Sequence, residues 1–469
     1  SGDITLRSVL QSTYDLNGLD DNTTNAAFLG AQLDTSENAH SFMSTVGINI
    51  DADLTDNVSA AIRIMNERDW TSVDGFNDTD NIDIDLAYIT LKEMLYSPLT
   101  VVVGRQDLWY GDGFIVGECR RPSSAQNPFI APEFTDHRSF DAVRAILDYD
   151  PWTLDLLYSR ISGDQAAFVG GVETIAEYPD NIDLWGINVG YIFDQYNAEA
   201  EAYYFGQTLP RNTLNPRIVG VAADPNGGVG GSSSRDNVVH IIGLRGSFEP
   251  VENLDIRGEF AGEFGRVNVG AVAPNEAVVN VEAFACDING YYTWADFSWM
   301  PSLGLGYVFM SGESTPRDGD WNGWINLYRG KHYSSIHEWQ GIYYFPDDLA
   351  TNGYQRQAGT NQHIIMVDGS IQPTDDILLE ARYLHFQAAA NFGVLNTGSD
   401  RSRNIGDEVD LRFTYDYTED VTFGLLNAWF FPGEYFTSGG SVMVNPVVPV
   451  EAKSDDVASE LVASVSLSF

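Results

Sequence analysis

The side chains in this sequence that could do chemistry are acidic and basic residues at every second position of otherwise apolar segments. In the segment 408–417, the alternate polar positions are Glu408, Asp410, Arg412, Thr414 and Asp416. The positions between them are apolar or aromatic: Val409, Leu411, Phe413, Tyr415 and Tyr417. Because successive side chains of a strand point to opposite faces, this spacing predicts a strand with one charged and one apolar face. A charged face can line a water-filled channel or form cross-strand salt bridges.

Two further segments show the same alternation and supply more charged positions. They are Asp255, Arg257, Glu259 and Glu263 in 254–265, and Glu380 and Arg382 in 377–388. We expect the first ladder to lie beside Glu380/Arg382 and Glu408/Asp410/Arg412, with cross-strand salt bridges in a wet lumen. Arg105, Asp141 and Arg144 also fall on polar strand positions. These three either form a constriction or brace the wall as structural ion pairs, and the sequence leaves both readings open.

Composition and motifs exclude several classes of function. The chain has 25 Lys and Arg residues against 67 Asp and Glu residues, for a net charge of −42, which argues against a nucleic-acid partner. Hydrophobic residues make up 43% and aromatics 12%, which excludes a disordered acidic tail. The sequence has no phosphate-binding loop, no His-Glu-x-x-His and no Gly-x-Ser-x-Gly. With no nucleophile–base–orienter set either, we expect that the protein is not an enzyme and that it needs no cofactor other than a possible calcium ion.

Calcium is suggested by two acidic clusters in predicted loops, Asp74/Asp78/Asp80 and Asp318/Asp320. Carboxylate and carbonyl oxygens are the ligands that this ion prefers. Neither cluster has a strict calcium-loop spacing, so a solvated acidic surface is the alternative for both.

The two cysteines leave a disulfide undecided. Cys119 lies in a predicted loop, whereas the alternation places Cys286 with Phe284 and Ile288 on the lipid side of a strand. That placement argues against a pair, unless a bulge shifts the register. An oxidising compartment and a total of two cysteines argue for one.

The elements that must position these residues are strands. No run reaches the 18 to 20 apolar residues of a membrane-spanning helix, whereas about eighteen segments have the length of a strand that crosses a bilayer at a tilt. We place them at 3–14, 40–52, 58–68, 80–91, 98–106, 139–149, 152–162, 182–193, 198–208, 236–248, 254–265, 281–295, 302–311, 360–371, 377–388, 406–417, 421–432 and 457–469.

The connections between these segments alternate in length. Tight turns rich in Asp, Asn and Pro lie at 53–57, 150–151, 194–197, 249–253, 373–376 and 418–420. The long loops are 107–138, 209–235, 312–359 and 433–456. Soluble sandwiches and propellers repeat at a fixed period instead. The pattern predicts one domain over 1–469, an all-β, antiparallel, up-and-down transmembrane β-barrel of about eighteen strands with short periplasmic turns and long extracellular loops.

Aromatic residues support a membrane location. Trp152, Tyr191, Tyr417 and Trp429 suit an interfacial aromatic belt. The chain ends at Phe469 after an alternating strand, which is typical of outer-membrane assembly signals, and we expect a mature form from which a signal peptide was removed. The loop 312–359 carries so many aromatics that we expect it to be packed, within the barrel as a plug or across its mouth; sugar stacking is the alternative.

Three short motifs resemble one family. Residues 104–112 read Gly-Arg-Gln-Asp-Leu-Trp-Tyr-Gly-Asp, and 138–144 read Arg-Ser-Phe-Asp-Ala-Val-Arg. With a looser echo at 326–333, Asn-Leu-Tyr-Arg-Gly-Lys-His-Tyr, they resemble the alginate export family of bacterial outer-membrane β-barrels. The resemblance implies an eighteen-stranded barrel and, for the best-known members, an exit route for polyanionic alginate.

The charge pattern favours a different cargo. On the polar strand faces, acidic residues outnumber basic ones about two to one, and like charge in a narrow pore repels a polyanion. We therefore predict a porin for small solutes with a preference for cations. Export of a polysaccharide and a plugged, structural barrel remain as alternatives. The expected partners are outer-membrane lipids and small solutes or ions, without nucleic acid; a homo-oligomer or another envelope partner stays open.

Overall fold

The computed structural model describes residues 1–13, 39–70, 82–117, 139–161, 182–209, 237–268, 278–313, 320–338, 360–390, 402–437, 441–445, 448–451 and 456–469. Within these ranges, eighteen long strands form the wall of the molecule. They are β1 (Gly2–Ser12), β2 (Ala39–Thr55), β3 (Val58–Asp69), β4 (Asp83–Leu91), β5 (Leu99–Gln106), β6 (Phe140–Asp148), β7 (Trp152–Ile161), β8 (Ile182–Ile192), β9 (Glu199–Leu209), β10 (Asn237–Val251), β11 (Leu254–Asn268), β12 (Val278–Thr293), β13 (Ser302–Met310), β14 (Gln362–Thr374), β15 (Ile377–Ala388), β16 (Asn404–Asp416), β17 (Val421–Pro432) and β18 (Ala458–Ser468).

The strands form one closed antiparallel sheet. Each strand pairs with its neighbours in sequence, and β1 pairs with β18 as well as with β2. Closure satisfies the backbone groups that an open edge would leave unpaired in lipid. The prediction of an up-and-down barrel of about eighteen strands is confirmed, and the predicted segments agree with the strands to within a few residues at most ends.

Three minor elements lie outside this wall. The two-residue strand Asp320–Trp321 pairs in parallel with β12. A small hairpin joins Ser441–Asn445 to Val448–Glu451, and a short helix covers Glu434–Thr437. Among the described residues, no helix has the length and apolarity needed to cross a membrane.

At one end of the barrel the strands are connected by short turns, and at the other end by the long connections. The predicted tight turns lie at the first end, which we call the turn end; the opposite end is the loop end. Two further connections at the turn end, 92–98 and 294–301, were not predicted as turns. In outer-membrane barrels the turns face the periplasm and the long loops face outward.

The outer face is apolar along the middle of the strands. On β10 and β11, Ile242, Leu244 and Phe260 are 58%, 62% and 53% exposed, as expected for side chains that face lipid. Aromatic pairs gather at the turn end, where the Trp152 and Tyr191 ring centroids lie 4.6 Å apart. This arrangement fits the predicted aromatic belt, since Trp and Tyr rings favour the membrane–water boundary.

Candidate functional site

Two loop segments fold into the barrel and fill part of its lumen. The first inserted segment, residues 107–117, follows β5; the second, residues 320–338, lies between β13 and β14. Leu108 and Val116 are 0% exposed, and in the second segment Tyr333 is 1% and Ile336 0% exposed. The prediction that the aromatic-rich loop is packed is confirmed for its described part, and its location is inside the barrel.

The two segments bind each other through their backbones. Tyr328 N–H donates to Ile115 O (3.1 Å), Gly117 N–H to Tyr328 O (2.7 Å) and Gly330 N–H to Gly113 O (2.9 Å). The rings of Phe114 and Trp324 stack with centroids 6.2 Å apart. We call this pair of segments the inserted unit. It joins two of the three family-like motifs, 104–112 and 326–333, which lie more than two hundred residues apart in sequence.

Glycines allow the tight path of the first inserted segment. Gly111 has φ +58° and Gly113 has φ +74°, which side chains rarely adopt. A Cβ on Gly113 would also meet the Trp109 ring at 2.5 Å. Trp109 Nε1 donates to Gly111 O at 3.0 Å, which holds the turn closed. These contacts give a physical reason for glycine in this part of the sequence.

A carboxylate of β16 caps one end of the second segment. Glu408 accepts three consecutive backbone N–H groups, from Ser335 (2.7 Å), Ile336 (2.9 Å) and His337 (2.9 Å). The Ser335 hydroxyl donates to Asp410 at 3.2 Å. Both carboxylates are 0% exposed. Because buried N–H groups need acceptors, these two wall residues fix where the segment sits.

Carboxylates on β11 and β12 hold the middle of the inserted unit. Asp287 accepts from Lys331 Nζ at 2.5 Å and from the Tyr333 hydroxyl at 2.8 Å. Glu263 accepts the Ile325 N–H at 2.8 Å. Glu259, at the first segment, accepts the Tyr203 hydroxyl at 2.7 Å and the backbone N–H of Asp112 at 3.3 Å.

Arginines of the wall complete the contact. Arg382 on β15 donates to Tyr333 O (3.0 Å) and, with two nitrogens, to Asp368 (2.6 and 3.0 Å). Arg245 on β10 pairs with Asp112 of the first segment at 3.0 Å. Near β7, the Tyr110 hydroxyl donates to Asp155 at 3.1 Å, and Arg144 pairs with the same carboxylate.

An ion pair and a buried imidazole stabilise the second segment internally. Arg329 pairs with Glu338 at 2.8 Å. Burial alone would raise the pKa of Glu338, but Arg329, His332 and the Tyr333 N–H together lower it. Burial lowers the pKa of His337 to about 4. Its ring packs against Phe386 and Phe430 and shares a hydrogen bond with Gln362 at 3.1 Å.

The contacts of the inserted unit divide the inner face into two regions. They extend from β6, where Phe140 contacts Tyr328 and Arg144 contacts Tyr110, to β17, and we call this region the covered wall. The inner faces of β18 and β1–β4 form the open wall, whose side chains contact mainly one another. Arg63 pairs with Asp3 (2.7 Å) and Asp85 (3.0 Å), Arg7 donates to Thr45 (2.9 Å), and Thr5 bonds Ser466 (3.2 Å).

Exposed and half-buried carboxylates lie along the inner face at the turn end. They belong to strand ends from all around the barrel, and we call them the acidic ring: Asp3, Asp51, Asp148, Glu199, Asp255 and Asp416. Asp3, Glu199 and Asp255 have side chains 35%, 43% and 24% exposed. These three pair with Arg63, Arg245 and Arg257, respectively, whereas Asp51, Asp148 and Asp416 are exposed. The water-facing wall at this end therefore carries an excess of negative charge.

The structure places most of the predicted lumen residues on the inner face. These are Arg144, Asp255, Arg257, Glu259, Glu263, Glu380, Arg382, Glu408, Asp410, Arg412 and Asp416. Only part of this set faces water. Five of them lie beneath the inserted unit with at most 3% exposed, so their expected role as a channel-facing wall is wrong: Glu259, Glu263, Arg382, Glu408 and Asp410.

Arg105 and Asp141 require a second correction. They pair at 2.9 Å, but they share a face with Val103 and Val143, which point outward and are 43% and 45% exposed. The pair therefore lies outside the barrel and cannot form a lumen constriction with Arg144. The rule that polar strand positions face inward fails here because strands reach the membrane boundary at the loop end, where outward polar groups are tolerated.

The expected arrangement of charged ladders is also corrected. The Asp255/Arg257/Glu259 ladder on β11 is separated from β15 by three strands, so it does not lie beside Glu380/Arg382. Arg257 pairs instead with Asp255 on its own strand at 2.7 Å. A cross-strand contact does join Arg412 to Glu380, at 4.0 Å.

The calcium and cysteine predictions fall largely outside the described residues. Asp74, Asp78, Asp80, Asp318 and Cys119 are not among them. Asp320 accepts a hydrogen bond from Asn280 at 3.1 Å, and the described ranges contain no group of three or more potential metal ligands. Cys286 carries a free thiol on the outer face, as its alternation predicts.

Sequence reasoning missed Asp112, Arg329 and Glu338 as structural groups of the lumen. All three lie in loops, where strand alternation gives no information. Asp112 and Arg329 do fall inside the family-like motifs, which was the one available signal.

A family model described as alginate export matches residues 21–448. No curated protein matches the sequence. Among solved structures, Pseudomonas aeruginosa OccK11 (OpdR) is 14% identical over 99% of this chain and 95% of its own, with a TM-score of 0.50. OccK9 (OpdG) of the same organism is 11% identical over 100% of this chain and 98% of its own, with a TM-score of 0.51. OprD, also of that organism, is 10% identical over 100% of this chain and 93% of its own, with a TM-score of 0.50. At these identities the likeness concerns the fold.

Proposed function

The chain belongs to the alginate export family of outer-membrane barrels, and from this premise we propose that it is a channel for passive passage of small solutes with a preference for cations. The acidic ring is the observation that carries the proposal. Six carboxylates face the lumen at the turn end: Asp51, Asp148 and Asp416 are exposed, whereas Asp3, Glu199 and Asp255 are half-buried and pair with arginines. Fixed negative charge at a narrow entrance raises the local concentration of cations and repels anions.

The inserted unit supports small solutes over long polymers. It contacts the inner wall from β6 to β17 and is held by buried hydrogen bonds at several separate strands. A polymer would have to pass beside it or displace it. The open wall offers half-buried hydroxyl groups such as Thr5 and Ser466, which suit small hydrated solutes.

Polysaccharide export remains the second candidate because the family match favours it. It would require a polyanion to cross the acidic ring, which like-charge repulsion opposes. The inserted unit also keeps a third candidate open, a structural barrel with little conductance. Both family and fold support a transport or structural role rather than catalysis.

Reversal potentials across a planar bilayer in a tenfold KCl gradient test the proposal. We expect channels whose potential has the sign of potassium selectivity, with the preference falling at high salt as screening increases. Clear chloride selectivity would contradict cation preference, and an absence of conductance would favour the structural barrel. Uptake of polyuronate oligomers into liposomes at the rate of neutral oligosaccharides of equal length would favour export.

A further inference from the structure

The outer face carries a band of polar side-chain pairs at the loop end of the barrel. Each pair joins two strands connected by a long loop, and we call the set the collar. Its members are Ser8–His40, Arg105–Asp141, Tyr158 and Arg160 with Asp183, Tyr204–His240, Tyr307–His363, and Tyr383 and His385 with Asp407. Aromatic rings lie at both ends of this face, such as Trp152 and Tyr191 at the turn end and Trp185 and Tyr204 at the loop end, and the collar adds charged and His side chains to them.

The collar lies at a constant distance from the turn-end aromatics. Eight residues separate Trp152 from Arg160 on β7, and Tyr191 from Asp183 on β8. The same spacing separates Tyr149 from Asp141, Phe248 from His240 and Tyr415 from Asp407. Eight residues of a tilted strand cover about 20 Å of height, close to the roughly 25 Å of an apolar band. The collar therefore lies at the external edge of the lipid-facing surface.

The charge of this edge differs from that of the rest of the chain. Four arginines point outward near it: Arg68, Arg105, Arg160 and Arg266. Four of the seven histidines, His40, His240, His363 and His385, are there as well. The outward-facing acidic residues at the same edge, within the strands that the structure describes, are Asp141, Asp183, Asp407 and Glu282. Among the described strand residues that face outward at this level, arginines are thus as numerous as carboxylates, in a chain of net charge −42.

The groups of the collar are exposed and oriented. The Arg160 side chain is 56% exposed, and its Nε donates to Asp183 at 3.0 Å while Tyr158 donates to the same carboxylate. Arg105 is 42% exposed and holds Asp141 with two nitrogens. The carboxylates fix the guanidinium planes against the wall. Arg105 Nη1 also donates to Ile84 O and Arg160 Nη2 to the Tyr158 hydroxyl, and each guanidinium keeps further N–H groups for an outside acceptor. Arginine presents its donors in a fork that matches phosphate oxygens.

We propose that the collar is a docking surface for phosphate-bearing headgroups of lipids in the external leaflet. The occupant is a lipid because the collar continues directly from the apolar band, for example from Val103 and Val143 to Arg105 and Asp141. A lipid whose chains lie along that band places its headgroup at the collar. Arginine supplies the charge, and Tyr and His side chains supply further hydrogen bonds.

Native mass spectrometry of the full-length protein in detergent tests the proposal. The probes are lipid A with two phosphates and the same lipid after dephosphorylation. We expect tight, saturable binding of the phosphorylated form only. The double variant R105Q/R160Q should bind it about tenfold more weakly, since each arginine near an anionic lipid surface contributes roughly fivefold and part of that is offset by its carboxylate. R257Q, which removes an arginine from the lumen, is the matched control and should bind normally.

Three results would overturn the proposal: equal binding of both lipids, unchanged binding by R105Q/R160Q, or full displacement of the lipid by millimolar inorganic phosphate. Heat-dependent gel mobility shows whether each variant has folded as a barrel. If the double variant does not fold, the single variants R160Q and R160K separate loss of charge from loss of structure, with binding retained by R160K. Cation selectivity should be unchanged in R105Q/R160Q, so the proposal and the channel function fail separately.

Discussion

The covered wall and the open wall of the lumen have similar alternating strand patterns, but their charged side chains have different partners. On the covered wall, Glu408, Asp287 and Glu263 accept hydrogen bonds from the inserted unit and are shielded from water. On the open wall, Arg63 is neutralised by Asp3 and Asp85 within the wall itself. Acidic residues in this barrel therefore have two roles. Buried ones hold loops in place, and exposed ones at the turn end set the potential that a solute meets.

Replacement of Glu408 should have the largest effect on the difference between the covered wall and the open wall. In E408A, three consecutive N–H groups lose their buried acceptor, at a cost of roughly 3 kcal/mol or more. We expect the second inserted segment to leave its place on the covered wall. Single-channel conductance should rise severalfold, and protease should cut within 320–338.

The matched control for that variant is S466A, which removes a hydroxyl from the open wall that bonds Thr5 at 3.2 Å. Its conductance and protease resistance should stay near those of the parent protein. Equal conductance in E408A and the parent, with folding verified by heat-dependent gel mobility, would show that Glu408 does not hold the segment.

Acid should loosen the inserted unit by a smaller amount. His337 has a folded pKa of about 4, below its usual value near 6.5, so its neutral form is favoured in the buried site. The stability from this group is complete above pH 6.5 and is lost as pH falls toward 4, by about 2 kcal/mol at pH 5. Glu338, whose pKa is also lowered, adds to the loss at still lower pH.

Gating noise and conductance measured between pH 7.5 and 5 would show this effect as more frequent openings at low pH. In H337F, an aromatic ring still packs against Phe386 and Phe430 but cannot take up a proton. Its openings should depend less on pH over this interval. An identical pH dependence in parent and H337F would assign the effect to other groups.

Strand alternation predicted the wall far better than it predicted the lumen. Segments such as 254–265 and 408–417 reveal both their length and their two faces, because period two is a local property of the chain. The position of 320–338 against Glu408 and Asp287 depends on contacts between distant segments, which alternation does not encode. Arg105 and Asp141 were misplaced because a polar residue at a strand end can face water or headgroups on either side of the barrel.

The acidic ring provides the most direct test of the division between buried and exposed carboxylates. Reversal potentials in a KCl gradient should be compared for the parent, for D51N/D148N/D416N, and for D141N, which removes a carboxylate from the outer face. We predict that the triple variant loses most of its cation preference, whereas D141N keeps the parent value. Unchanged selectivity in the triple variant, or an equal loss in D141N, would contradict the account.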